Sequence, residues 1–309
     1  MKTKEIQEII LGNKRKEIGI ISSQKLSGKE LENMNSVSVA DAVRYFSGIQ
    51  LKDYGGVGGM KTVNIRGMGT QHVGVFYDGI QLGNAQNGTV DLGRFSLDNL
   101  ESISLYNGQK SEILQSAKDF GSAGSIYLQS KIPKFTKNKK TNISLNYRSG
   151  SFGLINPSFL LEQKISENIS ASASAEYVDA DGEYKFRQKT ALPDGSFGWE
   201  RKGTRTNGDI RALRAEAGLF GKMNNGNWRL KSYFYDSDRG IPGAVTKNND
   251  IFSSRQSDRN FFVQGSLEKQ ISPKYNFLVN AKFADDYTHY LNDNPQGTPI
   301  KIDNTYKQK

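Results

Sequence analysis

The stretch KTVNIRGMGTQHVGVFYDGIQL, residues Lys61 to Leu82, contains the pattern on which the fold of the first part of the chain depends. Thr62 to Arg66 and Val73 to Tyr77 alternate in polarity, which predicts two short β-strands joined through glycines. Asp78-Gly79, directly after the second strand, is a two-residue hairpin signal. Many folds contain such a pair of strands, so the flanking segments must narrow the choice.

Short helices and further strands are predicted on both sides of this stretch. Ser27-Gly-Lys-Glu30 and Ser38-Val-Ala-Asp41 have the spacing of a capping box, in which a hydroxyl accepts from an unpaired amide at the start of a helix. The second helix carries an apolar stripe and ends before Gly48; the stripe consists of Val39, Ala42, Val43 and Phe46. Further short strands are predicted at Ile49 to Lys52, Ser102 to Tyr106 and Ser125 to Gln129. Residues 1 to about 133 therefore form a predicted α+β unit.

After Pro133 the sequence consists of longer alternating segments. Asn142 to Arg148 and Ile169 to Tyr177 each place apolar residues on one face of a strand and polar residues on the other. The same pattern recurs near Leu213 to Leu219, Trp228 to Phe234, Phe261 to Leu267 and Phe277 to Phe283. Both a soluble β-sandwich and a membrane β-barrel are compatible with this alternation.

The connections between these segments favour the barrel. Ile165 to Asn168, Asn224 to Asn227 and Ile271 to Lys274 are predicted tight turns, whereas Asp179 to Asp209, Asp236 to Asp258 and the region after Asn292 are predicted long loops. Short and long ends alternate in outer-membrane barrels, because periplasmic turns are short and extracellular loops are long. Ser149 to Gly153 is an exception, with a short outer end. Aromatic residues expected in the interfacial girdles are Tyr147, Phe152, Tyr177, Tyr184, Tyr233, Tyr235 and Tyr287.

Composition excludes several classes of function. The chain has no cysteine and only two histidines, His72 and His289, so thiol chemistry is absent and imidazole chemistry is nearly so. The formal charge of +10 is spread among carboxylates rather than clustered on one segment, which argues against a nucleic-acid partner. No nucleophile, base and orienting group converge in the sequence, so we expect no enzyme activity.

Several segments, in order along the chain, resemble the motifs of TonB-dependent outer-membrane receptors. Asn64-Ile-Arg-Gly67 and Tyr77-Asp-Gly79 match the family's I-R-G and V-D-G signatures at the family's separation. Ser38 to Ile49 resembles the helix and strand of the family's plug domain, and Phe120 to Ile126 resembles the end of that domain. Tyr235 to Gly243 resembles a barrel segment common in these receptors.

The resemblance implies an α+β plug domain followed by antiparallel β-strands of an incomplete outer-membrane β-barrel. It divides the chain into an N-terminal energy-coupling segment or linker at residues 1–15, the plug at residues 16–133 and the N-terminal part of the barrel at residues 134–309. It also implies localisation in the outer membrane of a Gram-negative cell, with outer-membrane lipid around the strands and the energy-transducing protein TonB as a partner. Binding would be the function, without a cofactor or a metal site.

Three groups of site residues follow from this reading. The ligand-binding candidates lie in two glycine-rich loops and are Tyr54, Gly56, Val57, Gly58, Met60, Asn84, Gln86 and Asn87; glycine lets backbone approach a bulky ligand, and Tyr54 or Met60 offers apolar contact. The candidates for TonB coupling, which could instead form the first plug strand, are Glu5, Ile6, Gln7, Glu8, Ile9 and Ile10. The structural residues of the plug are Arg66, Gly67, Asp78 and Gly79; Arg66 is expected to meet carboxylates of the barrel wall.

The expected ligand is cobalamin, because residues Asn107 to Ser125 are similar to vitamin B12 receptor-like proteins of the Bacteroidetes lineage. A ferric siderophore or haem is the alternative ligand, and a surface lipoprotein is a further candidate partner. The competing class is a soluble all-β binding or adhesion protein. In that case Ile143, Leu145, Ala171, Ala173 and Leu213 would face a second sheet rather than lipid.

The number of strands predicts a fragment. About seven strand candidates follow residue 133, whereas plugged receptor barrels have about 22 strands. Open sheet edges in lipid leave amides unpaired, so such a sheet would not insert by itself. No signal peptide is visible at the N-terminus. We therefore expect a gene that extends on both sides, with a signal sequence before this chain and about fifteen further strands after it.

Overall fold

A computed structural model gives the fold of the chain. The residues that it describes are 23–34, 36–83, 88–108, 120–136, 138–246, 252–293 and 301–309. They divide into a small α+β unit that ends at Ser130 and a long antiparallel sheet that begins at Thr141.

Within its described residues, the α+β unit contains two short helices and seven strands. The helices are α1 (Lys29–Asn33) and α2 (Val39–Val43), and the strands are β1 (Ser23–Ser27), β2 (Ile49–Asp53), β3 (Lys61–Ile65), β4 (Val73–Tyr77), β5 (Ile80–Gln81), β6 (Leu100–Tyr106) and β7 (Gly124–Ser130). One sheet has the strand order β1, β6, β7, β4, β5, and β2 pairs with β3 separately. Strands β4 and β7 are parallel, and the other neighbours are antiparallel. Single turns of 3-10 helix lie at Thr70–His72 and Leu92–Arg94.

The apolar stripe predicted on α2 forms the centre of the core. Val39, Ala42 and Val43 are fully buried, and Phe46 beyond the helix is 5% exposed. The same cluster of buried residues continues into the long sheet through Val178, Ala180, Ile210, Ala212, Tyr233, Tyr235 and Phe262. The two parts of the molecule therefore share one apolar core.

Both predicted helices are present, but neither has the predicted capping box. Helix α1 begins after Gly28 and has no side-chain cap. At α2 the Oγ of Ser38 donates to the carboxylate of Asp41 at 2.9 Å instead of accepting from a backbone amide. A hydrogen bond to a charged acceptor is stronger than one between neutral groups, which explains this preference. In the described part of the chain, no helix is both long and apolar enough to cross a membrane.

The second part of the molecule is an eight-stranded antiparallel sheet, which we call the wall, with one hairpin inserted in it. Its strands and those of the hairpin are β8 (Thr141–Gly150), β9 (Leu154–Lys164), β10 (Ile169–Ala180), β11 (Tyr184–Ala191), β12 (Phe197–Arg205), β13 (Ile210–Met223), β14 (Gly226–Gly240), β15 (Arg255–Ser272), β16 (Tyr275–Asn292) and β17 (Ile302–Gln308). In the wall each strand pairs with the next, and β11 and β12 form the separate hairpin between β10 and β13. Among the described residues the sheet stays open at β8 and β17.

The two faces of the wall are the reverse of those of a soluble sandwich. Large apolar side chains lie on its outward face and are exposed: Ile143 is 64% exposed, Leu145 74% and Leu213 42%. Polar and charged side chains lie on the inward face and are buried, including Asn156, Glu176, Arg214, Glu216, Lys231, Arg239, Asp258, Gln264 and Thr288. No sheet formed by the described strands covers the apolar face. The interpretation as a soluble sandwich, in which these apolar residues would meet a second sheet, is therefore wrong.

The predicted alternation of short and long connections is confirmed. The turns between β9 and β10, β13 and β14, and β15 and β16 are short and lie at one end of the wall, which we call the inner end. The long connections after β10, β14 and β16 leave from the opposite, outer end, as does the short turn at residues 151–153. Strands β13 to β16 have 14 to 18 residues, more than the roughly 9–11 that a tilted strand needs to cross a bilayer.

The strand predictions were incomplete in two places. Residues 134–309 contain ten strands among those described rather than about seven, because β11, β12 and β17 were not predicted. Asp236 and Asp258, predicted to bound a long loop, lie within β14 and β15. Both carboxylates are paired with arginines, which explains why charged residues occur inside regular strands here.

Two of the predicted girdle tyrosines face the other way. Tyr233 and Tyr235 are 2% and 1% exposed and point inward, against the α+β unit. They share a pleat face with Lys231, since residues two apart in a strand lie on the same side. By contrast, Tyr147 and Tyr177 are exposed on the outward face, as predicted.

A charge in the middle of the apolar band tests whether the outward face lies in lipid. Leu230 on β14 is 44% exposed and has Leu219 and Gly265 as its cross-strand neighbours. In the protein that carries this chain, inserted in lipid, Leu230→Arg is expected to lower the free energy of unfolding by about 2–4 kcal/mol, because a guanidinium is poorly solvated in hydrocarbon. Urea titration in liposomes measures this. The matched control is Leu192→Arg at the tip of the hairpin, where Leu192 is 50% exposed and the effect should stay within about 0.5 kcal/mol. Equal effects at both positions would contradict a lipid-facing wall.

Candidate functional site

The α+β unit contacts the inward face of the wall through buried charged, polar and apolar side chains. We call this contact the inner interface. Buried charges destabilise a protein unless each one has a partner. The pairing of the charges in the inner interface therefore determines how the two parts fit together.

Four charged side chains form a closed cluster at this interface, the quartet, which consists of Asp91, Arg94, Arg239 and Asp258. Arg239 on β14 donates from Nη1 to Asp91 at 2.9 Å and from Nη2 to Asp258 at 2.7 Å. Arg94 lies 3.1 Å from Asp258 and 3.7 Å from Asp91. The four side chains are 0–7% exposed. Two positive and two negative groups leave the quartet neutral.

Neighbouring groups hold the quartet in place. Asp91 caps the 3-10 turn Leu92–Arg94 by accepting from the amide of Gly93 at 2.9 Å, and it also accepts from the amide of Lys61 at 2.9 Å. Burial alone would raise the pKa of Asp91, but the guanidinium groups of Arg239 and Arg94 outweigh burial and lower it. Asp91 therefore stays ionised at neutral pH although it is fully buried.

A second buried cluster surrounds Tyr77 at the end of β4. Its hydroxyl donates to Glu216 on β13 at 2.9 Å, and Lys231 on β14 contacts both the hydroxyl and Glu216. The ammonium of Lys231 also lies 3.9 Å from the ring centroid of Tyr77. Asn99 donates to Glu216 at 3.2 Å. Burial and the nearby Glu216 carboxylate raise the pKa of Tyr77, so the phenol remains a neutral donor.

Aromatic rings fill the space between these two clusters. Phe262 stacks on Tyr233 with ring centroids 4.9 Å apart, and Phe95 packs against Tyr233 with centroids 5.4 Å apart. Tyr77 meets Phe95 and Phe262 edge to face. The hydroxyl of Tyr233 donates to the carbonyl of Arg94 at 2.8 Å, which connects the stack to the quartet.

Two further ion pairs join the α+β unit to the wall. Asp98 accepts from Arg148 on β8 and from the hydroxyl of Ser158 on β9 at 2.5 Å. Burial would raise the pKa of Asp98, but hydrogen bonds from Arg148 and Ser158 lower it. At the inner end, Asp78 pairs with Arg229 on β14 at 3.0 Å and accepts from the amide and hydroxyl of Ser130.

The structure corrects the role predicted for Arg66. Arg66 and Gly67 are exposed, and a methyl group added at Gly67 would meet nothing within 4 Å. The expected contact of Arg66 with the wall is therefore wrong for the described part of the wall. The arginine–carboxylate pairing is present, but with the partners exchanged: the carboxylate is Asp78 of the α+β unit and the arginine is Arg229 of the wall.

The predicted hairpin turn at Asp78-Gly79 is confirmed. Asp78 has φ of 50° and Gly79 has φ of 84°, and β4 pairs with β5 across them. Two consecutive positive φ angles give the tight turn whose twist matches that of the flanking strands. This turn directs the Asp78 carboxylate toward Arg229 and Ser130.

The first predicted ligand loop lies at the outer end of the wall. Tyr54 and Gly56 are exposed, whereas Val57 and Met60 are half-buried. Gly58 is buried, and a Cβ at this position would lie 2.9 Å from the carbonyls of residues 208 and 209. At Gly58, therefore, the missing side chain allows the backbone of the loop to pack closely against the backbone of the wall.

A cavity of about 250 Å³ lies beneath this loop, and we call it the outer cavity. Both parts of the molecule line it, with Gly56, Val57, Lys61, Asp41 and Asp53 on one side and Phe152, Leu154, Val178, Tyr235 and Arg239 on the other. Arg239 belongs to the quartet as well, so the outer cavity and the quartet share a side chain.

The remaining predicted site residues lie outside the described residues. They are Asn84, Gln86 and Asn87 of the second ligand loop and Glu5, Ile6, Gln7, Glu8, Ile9 and Ile10 of the coupling segment.

Sequence reasoning missed every member of the quartet. A usable signal was present for other charged residues of the inner interface, because Arg214 and Glu216 alternate with Leu213, Ala215 and Ala217 on a strand whose apolar face points outward. In a barrel the polar face of such a strand points to the interior, so its charged residues are candidates for contact with the plug.

Removing one charge of the quartet tests its role in holding the two parts together. Asp258→Asn leaves Arg94 and Arg239 buried with one carboxylate between them. We expect a loss of about 3–5 kcal/mol in the free energy of unfolding, because an uncompensated charge stays buried. Urea titration of the lipid-inserted protein measures this, with protease cleavage of the α+β unit as a local readout. The control is Asp236→Asn, which breaks an exposed pair with Arg259 and should change stability by at most about 1 kcal/mol. Similar losses for the two variants would refute the role of the quartet.

The lowered pKa of Asp91 predicts a dependence of stability on pH. A carboxyl group with a lowered native pKa stabilises the fold above its unfolded pKa, about 3.9, and this contribution is lost as the pH falls through the native value. Wild-type stability should therefore fall below about pH 4, and Asp91→Asn should be less stable at neutral pH but lose less on acidification. Unfolding free energies measured at a series of pH values test this; parallel profiles for the two proteins would contradict it.

Comparison with known proteins agrees with this architecture. Residues 15–121 match the model of the TonB-dependent Receptor Plug Domain. The chain is similar to the solved structure of the FrpB iron transporter from Neisseria meningitidis (F3-3 variant), with a TM-score of 0.67 and 11% identity over 88% of this chain and 42% of that one. The copper transporter OprC gives a TM-score of 0.62 with 12% identity, over 87% of this chain and 38% of the transporter. The siderophore receptor PiuA from Acinetobacter baumannii gives 0.60 with 15% identity, over 88% of this chain and 37% of the receptor.

This chain thus spans less than half of the length of each of these three structures. At such identities the similarity establishes the fold. Residues 15–121 match the plug-domain model of TonB-dependent receptors, and the described part of the chain has the fold of part of these three structures.

Proposed function

We propose that this chain is part of an outer-membrane receptor that imports a scarce, bulky nutrient, with the plug at residues 16–133 inside a barrel wall that begins at residue 134. The observation that carries the proposal is the reversed pleat of the wall. Leu145 and Ile143 are exposed on one face while Glu216 and Arg239 are buried on the other. A wall that separates lipid from a polar plug requires this arrangement, and a soluble protein would gain nothing from it.

The proposed ligand site lies at the outer end, above the plug. Tyr54 is 47% exposed there, and the neighbouring Gly55 approaches Pro242 of an outer connection. A ligand on Tyr54 would therefore lie directly over the outer cavity, with Gly56, Val57, Gly58 and Met60 as its nearest backbone and side-chain neighbours. Asn84, Gln86 and Asn87 belong to the same proposal as a second loop.

A bulky metal chelate is the ligand class we propose. Cobalamin is the first candidate, on the resemblance of residues Asn107 to Ser125 to vitamin B12 receptor-like proteins. A ferric siderophore or haem is the second, and it gains support from the fold shared with the siderophore receptor PiuA and the FrpB iron transporter. A surface lipoprotein that covers the outer loops remains a candidate partner.

The proposed coupling to TonB uses residues Glu5 to Ile10, which precede β1. Among the described strands, β1 lies at the edge of the plug sheet and pairs through five residues with β6 alone. A pull on the N-terminal segment would therefore load β1 before any other strand, while the quartet and Asp78 hold the rest of the plug to the wall. Ligand binding would thus act on the outer end of the plug, and pulling would act on its N-terminal strand.

Uptake by cells tests both the proposed function and the coupling segment. The protein that carries this chain is produced from its own gene in a strain that lacks other receptors for cobalamin and for ferric siderophores. Uptake of radiolabelled cobalamin, and separately of an iron-labelled siderophore mixture, is expected to be saturable and to require TonB. Ile9→Pro should reduce uptake at least about tenfold, because proline lacks the backbone N–H that the coupling segment would donate if it paired with TonB as an added strand. Ligand binding to cells should be unchanged.

The control for the coupling segment is Ile9→Val, which keeps a β-branched strand former and should transport normally. Uptake of siderophore iron without cobalamin would keep the receptor and replace the first ligand by the second. Uptake that does not depend on TonB, or absence of the protein from the outer membrane, would refute the proposed function.

A further inference from the structure

A further cavity of about 290 Å³ lies between the plug and the first strands of the wall, and we call it the second cavity. Small polar side chains of the wall line it, among them Ser144 on β8, Ser158 on β9 and Ser174 on β10. On β14 and β15, by contrast, the large rings of Tyr233 and Phe262 pack directly against plug residues. The wall therefore leaves space beside the plug along β8 to β10.

The outer cavity and the second cavity follow one another along the strands of the wall. On β10, Val178 lines the outer cavity, and Glu176, two residues nearer the inner end, lines the second cavity. The second cavity extends to the inner end, because Glu101 lines it and pairs with Lys134 at 3.1 Å. The carbonyl of Lys134 accepts from Asn142, which lies at the inner end of β8. Together the two cavities extend along the plug from the proposed ligand loop to the inner end.

One arginine lies between the two cavities. Among the described residues that line them, Arg214 on β13 is common to both. Its Nη2 donates to the plug, to the carbonyl of Gly93 at 2.6 Å, and its Nη1 lies 3.0 Å from the carboxylate of Glu176. The guanidinium carbon is 5.8 Å from the ring centroid of Tyr235. The side chain of Arg214 therefore crosses from the wall to the plug at the point where the cavities meet.

The link from Arg214 to the plug is weaker than the links made by the quartet. Nε and Nη1 of Arg214 and Oε2 of Glu176 are buried and make no hydrogen bond within the described part of the chain. Arg214 reaches the plug through a neutral carbonyl, whereas Arg239 donates to the plug carboxylate Asp91. A hydrogen bond to a neutral acceptor is weaker than one to a carboxylate. The guanidinium of Arg214 can therefore leave Gly93 without breaking an ion pair between plug and wall.

We propose that Arg214 closes a polar path between plug and wall, and that this closure stops small ions from leaking past the plug in the resting receptor. The two cavities are the open parts of the path, and the guanidinium separates them. Their volumes of about 250 and 290 Å³ are below the roughly 300–1,000 Å³ of ligand pockets, so the path suits water and small ions rather than a bulky nutrient. The inference rests on the proposed function, since a leak requires a wall that separates two compartments.

The charges beside Arg214 predict which ions would pass if its side chain were removed. Glu216 in the second cavity would keep its partner Lys231, which lies 2.7 Å away. Glu176 would lose the neighbouring guanidinium and would leave an uncompensated carboxylate on the path. Carboxylates that line a pore favour cations over anions. A path opened at Arg214 should therefore conduct K⁺ better than Cl⁻.

The test measures ion conductance of the full-length protein that carries this chain, inserted in planar lipid bilayers in KCl solution. Arg214→Ala is expected to raise the mean conductance at least about tenfold over wild type, because the two cavities then join into one polar path. Under a KCl gradient, the reversal potential should show a preference for K⁺. The double variant Glu176→Gln, Arg214→Ala should conduct as well but without this preference, because the carboxylate is gone. The double variant leaves no unpaired charge at this position, so it carries the conductance test if Arg214→Ala does not fold.

The matched control is Glu176→Gln, which breaks the same ion pair but keeps the volume of both side chains and should conduct no more than wild type. Arg229→Ala is the second control, because Arg229 joins the wall to Asp78 at 3.0 Å and lines neither cavity. A leak of similar size in either control would overturn the inference. An Arg214→Ala protein as tight as wild type, or a leak whose ion preference does not depend on Glu176, would overturn it as well.

Nutrient uptake by the wild type separates this inference from the proposed function. If the wild type imports the nutrient with TonB and Arg214→Ala does not leak, only the inference about Arg214 fails. If the wild type neither inserts in the outer membrane nor imports, the proposed function fails and the inference fails with it.

Discussion

The constraint on which the rest of the structure depends is that buried charges need partners. In the quartet, the plug contributes Asp91 and Arg94, and the wall contributes Arg239 and Asp258. Each side brings one positive and one negative group, and these already lie 3.7 Å apart in the plug and 2.7 Å apart in the wall. The quartet can therefore separate into two neutral pairs without leaving a lone charge on either surface. Such an interface can hold the plug firmly and still release it. The pair of Asp78 and Arg229 is different, because it has one charge on the plug and one on the wall, and separation would leave both charges unpaired.

The same constraint determines the register of the wall. Asp258 lies opposite Ser237 on β14, and Arg239 lies opposite Gln256 on β15, so both charged residues point inward from adjacent strands. A slip by one residue would turn Arg239 outward, away from Asp91, and would bring residues such as Leu230 inward against the plug. Both changes are unfavourable, so the alternation of the strands and the ion pairs at the interface specify one register together.

Local features of the fold were readable from the sequence, and long-range partners were not. The α2 stripe, the strand at Val73 to Tyr77 and the Asp78-Gly79 turn depend on neighbours within a few residues, and the structure has all three. Arg239 meets Asp91 across 148 residues and Arg94 meets Asp258 across 164, and no local pattern encodes such distances. The girdle prediction for Tyr233 and Tyr235 failed for a different reason, because their spacing from Lys231 already placed them on the polar face of the strand. For the first ligand loop, the sequence shows which residue types are present. It does not show that Gly58 packs against residues 208–210 of the wall, because this contact depends on the tertiary fold.

The geometry also connects the proposed ligand loop to the contacts that hold the plug. Arg239 lines the outer cavity and donates both to the carbonyl of Gly58 at 3.4 Å and to Asp91 at 2.9 Å. Lys61, which lines the same cavity, donates its amide to Asp91 at 2.9 Å. Any displacement of the loop would therefore change contacts of the same arginine and aspartate that join plug to wall. Coupling between two sites needs a physical element that both of them bias, and Arg239 together with Asp91 meets this requirement within one or two contacts of the loop.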